Sequence, residues 1–183
     1  MAEEHYFLAL WPDFPLALEI ERRVRPFWEA VPGMRQVAPQ NYHLTLAFLG
    51  FQPPAARVSI AGCVDPLGWG RFDLTLDRLG GFRRSRILFF APSTIPPALT
   101  DLVRRLRSGL IDALGASLPA TGGESLSFAP HVTLARCVRV SAEARPAPAL
   151  VWPVERLCLA RTCPGGDYEI ISEWRLSGLE ERV

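Results

Sequence analysis

At 183 residues, with 49% hydrophobic and 21% charged content, the chain carries enough apolar material for one well-filled domain or two intimately packed lobes. Its formal net charge of +1 removes any global electrostatic reason to bind nucleic acid, so an RNA or DNA partner would have to be met by a local patch. All 20 basic residues are arginine, and the lack of lysine excludes a P-loop lysine, a Schiff-base lysine and a nucleotidyl-lysine intermediate.

His5 to Trp11 (HYFLALW) is dense in aromatic and aliphatic residues and stops at Pro12, the pattern of a strand. Asp13 is placed to cap the next segment. From Phe14 to Trp28, Leu16, Ile20, Val24, Phe27 and Trp28 recur at helical spacing among arginines and glutamates, which predicts an amphipathic helix with Pro26 near its end. Pro32-Gly33 turns the chain. Asn41 to Gly50 (NYHLTLAFLG) alternates as a strand until Gly50 and Pro53-Pro54 end it. Phe72 to Leu76 alternates as a further strand and leads into a Gly- and Arg-rich turn from Leu79 to Arg86 (LGGFRRSR). Arg86 to Ala91 then reads as a strand, and Pro97 to Leu114 as a helix marked by Leu99, Leu102, Val103, Leu106, Leu110 and Leu114. The stretch Leu118 to Ser127 is expected to be a mobile loop, Phe128 to Val138 a strand, and Arg145-Pro146-Ala147-Pro148 a short Pro-rich connection. Val151 to Ala160 and Tyr168 to Leu176 are strand-like, joined through a hairpin at Cys163 to Asp167.

Two of the three histidines sit in the same setting, His43-Leu44-Thr45-Leu46-Ala47 and His131-Val132-Thr133-Leu134-Ala135. With ordinary residue usage, a shared T-L-A tail arises by chance on the order of once in a thousand such chains. Each copy closes a unit of strand, helix and strand with histidine, so the chain reads as a diverged duplication. On an extended strand a histidine and a hydroxyl two residues apart face the same way, leaving Leu44 and Leu46, or Val132 and Leu134, to bury against a helix.

Neutral imidazole accepts a proton and imidazolium donates one near pH 7, so two opposed histidines can serve both sides of a reacting phosphorus. The attacking oxygen loses a proton, the leaving oxygen gains one, and the hydroxyls of Thr45 and Thr133 can donate to the non-bridging oxygens. Two histidines without a carboxylate at ligand spacing make an incomplete zinc or manganese site, so no metal and no cofactor is expected. His5 has no companion and is expected at the surface. Cys63, Cys137, Cys158 and Cys163 form no C-x-x-C pair, which favours free buried thiols over a zinc site or disulfides. The acidic opening Met1-Ala2-Glu3-Glu4 and the lack of an apolar run near ~18 residues predict a cytoplasmic protein with no membrane partner.

The paired tetrads resemble the two-histidine (2H) phosphoesterase superfamily. Within it, the chain is similar to the RNA 2',3'-cyclic phosphodiesterases, also called 2'-5' RNA ligases. The likeness extends to Phe7 and Ala9, to Val37-Ala38-Pro39-Gln40-Asn41-Tyr42, to Phe48-Leu49-Gly50 and to Pro130 through Arg136. Gln36 stands where the family often has a tryptophan after the basic residue, and Phe89 where it often has a tryptophan in the central strand. Both departures bear on base preference. The resemblance implies an α+β, bilobal fold: residues 1–183 as a single domain of two intertwined, pseudo-symmetric lobes of antiparallel-rich sheet with flanking helices and a central cleft. Motif 1 would lie at 43–46 and motif 2 at 131–134.

It further implies that His43 donates a proton to the O3' leaving group, that His131 activates water, and that RNA ending in a 2',3'-cyclic phosphate, such as a tRNA half, becomes a 2'-phosphate. With an RNA 5'-hydroxyl in place of water the same site would form a 2'-5' linkage. Arg136, Phe48, Arg83, Arg84 and Arg86 are the candidate substrate-binding residues. Strict alternation turns Arg136 away from His131, so its role requires a twist or bulge, and Phe48 is expected to pack in the core rather than stack on a base, though it could do the latter. A monomer is expected, with no obligate protein partner. The alternatives are another 2H activity, on small cyclic nucleotides, ADP-ribose cyclic phosphate or 2'-5' oligonucleotides, and a non-catalytic RNA-binding module.

Overall fold

The computed structural model describes residues 4–28, 34–115, 128–136 and 144–176. The elements in chain order are β1 (Glu4–Leu10), α1 (Phe14–Trp28), β2 (Arg35–Gln36), β3 (Leu44–Gln52), α2 (Ala56–Val64), β4 (Phe72–Phe82), β5 (Ile87–Ala91), α3 (Pro97–Leu114), β6 (Val132–Arg136), β7 (Arg145–Val154), β8 (Arg156–Thr162) and β9 (Tyr168–Arg175). Single 3-10 turns lie at Pro39–Asn41 and Asp65–Leu67.

The strands form one antiparallel sheet in the order β7-β4-β5-β6-β3-β1-β8-β9, with β2 added alongside β6. β3 and β6 meet at its centre through one register pair, Leu44 with Val132. Outward from that contact each side repeats the same order: a motif strand, the strand that leads into a long helix (β1 or β5), then two more. The sheet is therefore two half-sheets of like plan, and the C-terminal β8–β9 hairpin completes the half begun by β1.

The helices cover one face. Tyr6, Leu8 and Leu10 of β1, Leu44, Leu46 and Leu49 of β3, and Val132 and Leu134 of β6 form one core with Ile20 and Val24 of α1 and Leu102 and Leu106 of α3. Each such aliphatic side chain contributes roughly 1.5–3 kcal/mol by leaving water. Asp13 caps α1, its Oδ1 accepting from the Leu16 N–H at 2.9 Å. On the opposite face Phe7, Ala9, Trp11, Cys158 and Ala160 form a second buried cluster, so β1 is apolar on both sides.

Several sequence expectations need correcting. Arg145 to Pro148 is not a connection but the start of β7, at the sheet edge, where prolines are tolerated because no further strand needs their N–H. Leu79 to Phe82 belongs to β4, leaving a turn at residues 83–86. Gly80 lies in that strand because Phe89 crosses it: a Cβ there would sit 2.6 Å from the Phe89 ring. Residues 151–160 are two strands, divided at Glu155. α2 and β2 were not anticipated. The expected loop at 118–127 and Cys137 lie outside the described residues. Of the described thiols only Cys158 is fully buried; Cys63 and Cys163 are half-buried. No described helix is long and apolar enough to cross a membrane.

Candidate active site

His43 and His131 immediately precede the paired residues Leu44 and Val132, so the central register of the sheet brings the two imidazoles to its middle. Both rings are held the same way. His43 Nδ1 lies 2.8 Å from the Asn41 carbonyl and His131 Nδ1 lies 2.8 Å from the Ala129 carbonyl. A carbonyl only accepts, so Nδ1 carries the hydrogen in both rings and Nε2 is left to take or give a proton. Beneath the first ring, Tyr42 is fully buried in the core and anchors the step from Asn41 to His43.

The walls differ. Trp11 stacks on His43 with ring centroids 4.9 Å apart, Phe7 lies tilted at 5.0 Å, and Tyr168 meets it edge-on at 4.8 Å. Among the described residues, the rings around His131 are Phe82 at 5.1 Å and Phe89 at 5.6 Å. Desolvation by this tighter casing pushes His43 down from 6.5 to about 4, with smaller repulsion from Arg136 and His131. Burial lowers His131 as well.

The threonines share these walls. Thr45 is directly opposite Ala9 and Thr133 directly opposite Phe89, and residues opposite each other in a ladder face the same side. Both therefore face the surface that carries the histidines. Phe48 and Arg136 reach it through bulges. In β3 the register skips Leu49 and Leu46, so Phe48 comes opposite Phe7, its ring 6.4 Å from that of Phe7 and 47% exposed. The core-packing role considered for Phe48 is thus overturned. In β6 the register skips Leu134, which aligns Arg136 with Ile87 on the Phe89 side. Its Nη2 donates to the Tyr168 hydroxyl at 3.2 Å, so a guanidinium from the His131 strand reaches the wall of His43.

Arg83, Arg84 and Arg86 are exposed at the β4–β5 turn, with Arg86 at φ 52. They are not part of the histidine walls. His5 is half-buried rather than a free surface residue, with its ring 5.3 Å from Phe51. Sequence reasoning missed Trp11, Tyr168, Arg35, Asn41 and Asp167. Trp11 was detectable, being in phase with Phe7 and Ala9 on a strand. Tyr168 had no local signal, because it arrives when the β8–β9 hairpin curls over the site and Asn41 Nδ2 donates to Asp167 Oδ1 at 3.1 Å. A cavity of about 230 Å³ on the far side of the Tyr168 and Asn41 wall of His43 is lined by Arg35, Asn41, Arg136, Gly166, Asp167 and Tyr168 among others. Among the described residues no group of three or more His, Cys, Asp or Glu side chains is arranged to hold a metal ion.

Residues 12–164 match the model of the 2'-5' RNA ligase superfamily. The chain belongs to that superfamily. An RNA 2',3'-cyclic phosphodiesterase of Thermus thermophilus is 31% identical over 88% of this chain and 83% of its own length. A second, from Geobacillus stearothermophilus, is 29% identical over 97% of this chain, which spans 59% of that relative's length. Among solved structures, a Thermus thermophilus protein superposes with TM-score 0.74 at 28% identity over 96% of this chain and 100% of its own. Escherichia coli LigT bound to 3'-AMP superposes with TM-score 0.78 at 24% identity, over 95% of this chain and 98% of its own, which shows the α+β fold of the superfamily.

Proposed function

We propose that this chain is a metal-independent RNA 2',3'-cyclic phosphodiesterase. The observation that carries the proposal is the pairing of His43 and His131 at one strand contact, each with Nδ1 tied to the carbonyl two residues earlier and Nε2 left for chemistry. The Thermus and Geobacillus relatives act, by their names, on RNA 2',3'-cyclic phosphate, and the residues here suit that bond.

Neutral His131 takes a proton from water as the water oxygen bonds to phosphorus. The P–O3' bond breaks on the opposite side, and protonated His43 gives its proton to O3'. The product is a 2'-phosphate with a free 3'-hydroxyl. Thr45 and Thr133 donate to the non-bridging oxygens, and Arg136 offsets the growing negative charge. An RNA 5'-hydroxyl in place of water gives a 2'-5' linkage by the same proton movements. A single chain supplies both imidazoles, so a monomer suffices, and tRNA halves are one source of such ends.

One observation favours exchanged roles: the casing of Trp11, Phe7 and Tyr168 around His43 disfavours its charged, proton-donating form and lowers its pKa to about 4. A substrate with sulfur in place of O3' separates the two assignments, since a thiolate leaves without a proton. With His43 as acid, His43→Ala loses the oxygen substrate but recovers on the sulfur substrate, while His131→Ala recovers on neither. Recovery of His131→Ala instead exchanges the roles, and no hydrolysis by the wild type in excess EDTA overturns the phosphodiesterase.

A further inference from the structure

Arg35 and Arg136 are directly opposite each other across the β2–β6 ladder and both line the 230 Å³ cavity that Tyr168 and Asn41 share with the wall of His43. Cross-strand like charges repel. On the other edge of β6, Arg136 is opposite Ile87, the first residue of β5, so Arg86 at the end of the turn lies one residue before it, with Arg83 and Arg84 earlier in the same turn. Three adjacent strands thus bring five arginines to one end of the sheet. Among the described residues none of the five pairs with a carboxylate, whereas ten other arginines do. Arg86 also holds a left-handed backbone, φ 52, that a glycine would adopt without strain. The chain therefore keeps both mutual repulsion and local strain where an anion would relieve the first.

Resting on the phosphodiesterase reading, we propose that these arginines form a track for the RNA backbone upstream of the reacting phosphate. Arg35 and Arg136 hold the strand where it leaves the histidines, and Arg83, Arg84 and Arg86 bind the phosphates beyond. The preferred substrate is accordingly an RNA strand with several phosphates behind its cyclic end, not a cyclic mononucleotide. Among the described residues, five of the eight arginines that make no ion pair thus lie where the strand passes, while Arg107 and Arg145 lie over aromatic rings elsewhere.

The test is fluorescence anisotropy of a labelled RNA octamer ending in a 3'-phosphate, over a range of salt, with the wild type, R83Q/R84Q/R86Q, and the charge-matched R22Q/R25Q/R104Q on the helix face. The turn variant should bind at least tenfold more weakly, with its log–log salt slope reduced by about 2, as expected for three lost contacts to single-stranded RNA. The helix-face variant should bind as the wild type does. Equal binding by the turn variant, or an equal loss in both variants, overturns the track. In parallel, the loss of kcat/KM in R83Q/R84Q/R86Q should be at least tenfold greater on a cyclic-ended octamer than on a cyclic mononucleotide; equal losses overturn it too. Should the wild type bind the octamer with the expected dependence yet hydrolyse neither substrate, the phosphodiesterase reading falls while the track stands.

Discussion

Trp11 lies over the imidazole of His43 with ring centroids 4.9 Å apart and planes 20° from parallel. This cover is a main reason that charging His43 is unfavourable and that its pKa falls to about 4. Trp11→Ala admits water to that face, so the pKa should rise toward 6.5, read by NMR titration of the ring Cε1–H. The kcat/KM profile of the wild type should be a bell with its optimum below pH 6.5, because both histidines are lowered. In Trp11→Ala the acid limb should move to higher pH. An unmoved His43 titration would show that the indole is not what desolvates it.

Arg136 and Tyr168 are predicted to separate in their effects. Tyr168→Phe keeps the ring against His43 and removes only the hydroxyl that accepts from Arg136, so KM should rise about threefold to tenfold with little change in kcat. Arg136→Gln removes the charge itself and should lower kcat/KM by about 10²-fold. Steady-state kinetics on a cyclic-ended RNA checks both, and matching losses in the two variants would mean that the hydroxyl does more than position the guanidinium.

Gly80 is predicted to act on His131 through Phe89. A Cβ at residue 80 would meet the Phe89 ring at 2.6 Å and Ala144 Cβ at 3.1 Å, so Gly80→Ala must displace the ring that borders His131. Overpacking of this kind costs about 1–3 kcal/mol. Urea denaturation should show that loss, kcat should fall, and Phe89→Leu in the same chain should restore much of both.

Stability should depend on pH through the same casing. The folded pKa of His43, about 4, lies below its unfolded value near 6.5. Neutral His43 therefore contributes its stability in full above pH 6.5, and that contribution is lost as pH falls from 6.5 toward 4. Between pH 7.5 and 4.5 the wild type should lose about 2 kcal/mol more than His43→Gln does, measured from urea midpoints. His131, also lowered, adds in the same direction.

Much of this was legible in the sequence. The helices over Phe14–Trp28 and Pro97–Leu114 follow from their apolar spacing, and Asp13 caps the first as its position suggested. The two H-x-T tetrads identified the histidines and threonines because a period of two on a strand fixes which side chains share a face. Alternation failed where the ladder slips: the faces of Phe48 and Arg136 depend on bulges, and a bulge is set by the partner strand rather than by local composition. α2 escaped notice because its apolar residues Ala56, Ile60 and Val64 are diluted by small ones and its polar face is nearly missing. Tyr168, Asn41 and Asp167 were invisible for a different reason, since they come together only through contacts between residues more than a hundred positions apart.

The late return of the chain to its first strand has a bearing on how the molecule is made. β1 is flanked by β3, close to it in sequence, and by β8, which begins only at Arg156, so the second neighbour is made long after the first. Until then one edge of β1 has no neighbour, and the aromatic face of Phe7 and Trp11 stays open to water. Tyr168, carried by β9, then completes around His43 the casing that Phe7 and Trp11 begin, so the full burial of that imidazole waits on the last described strand.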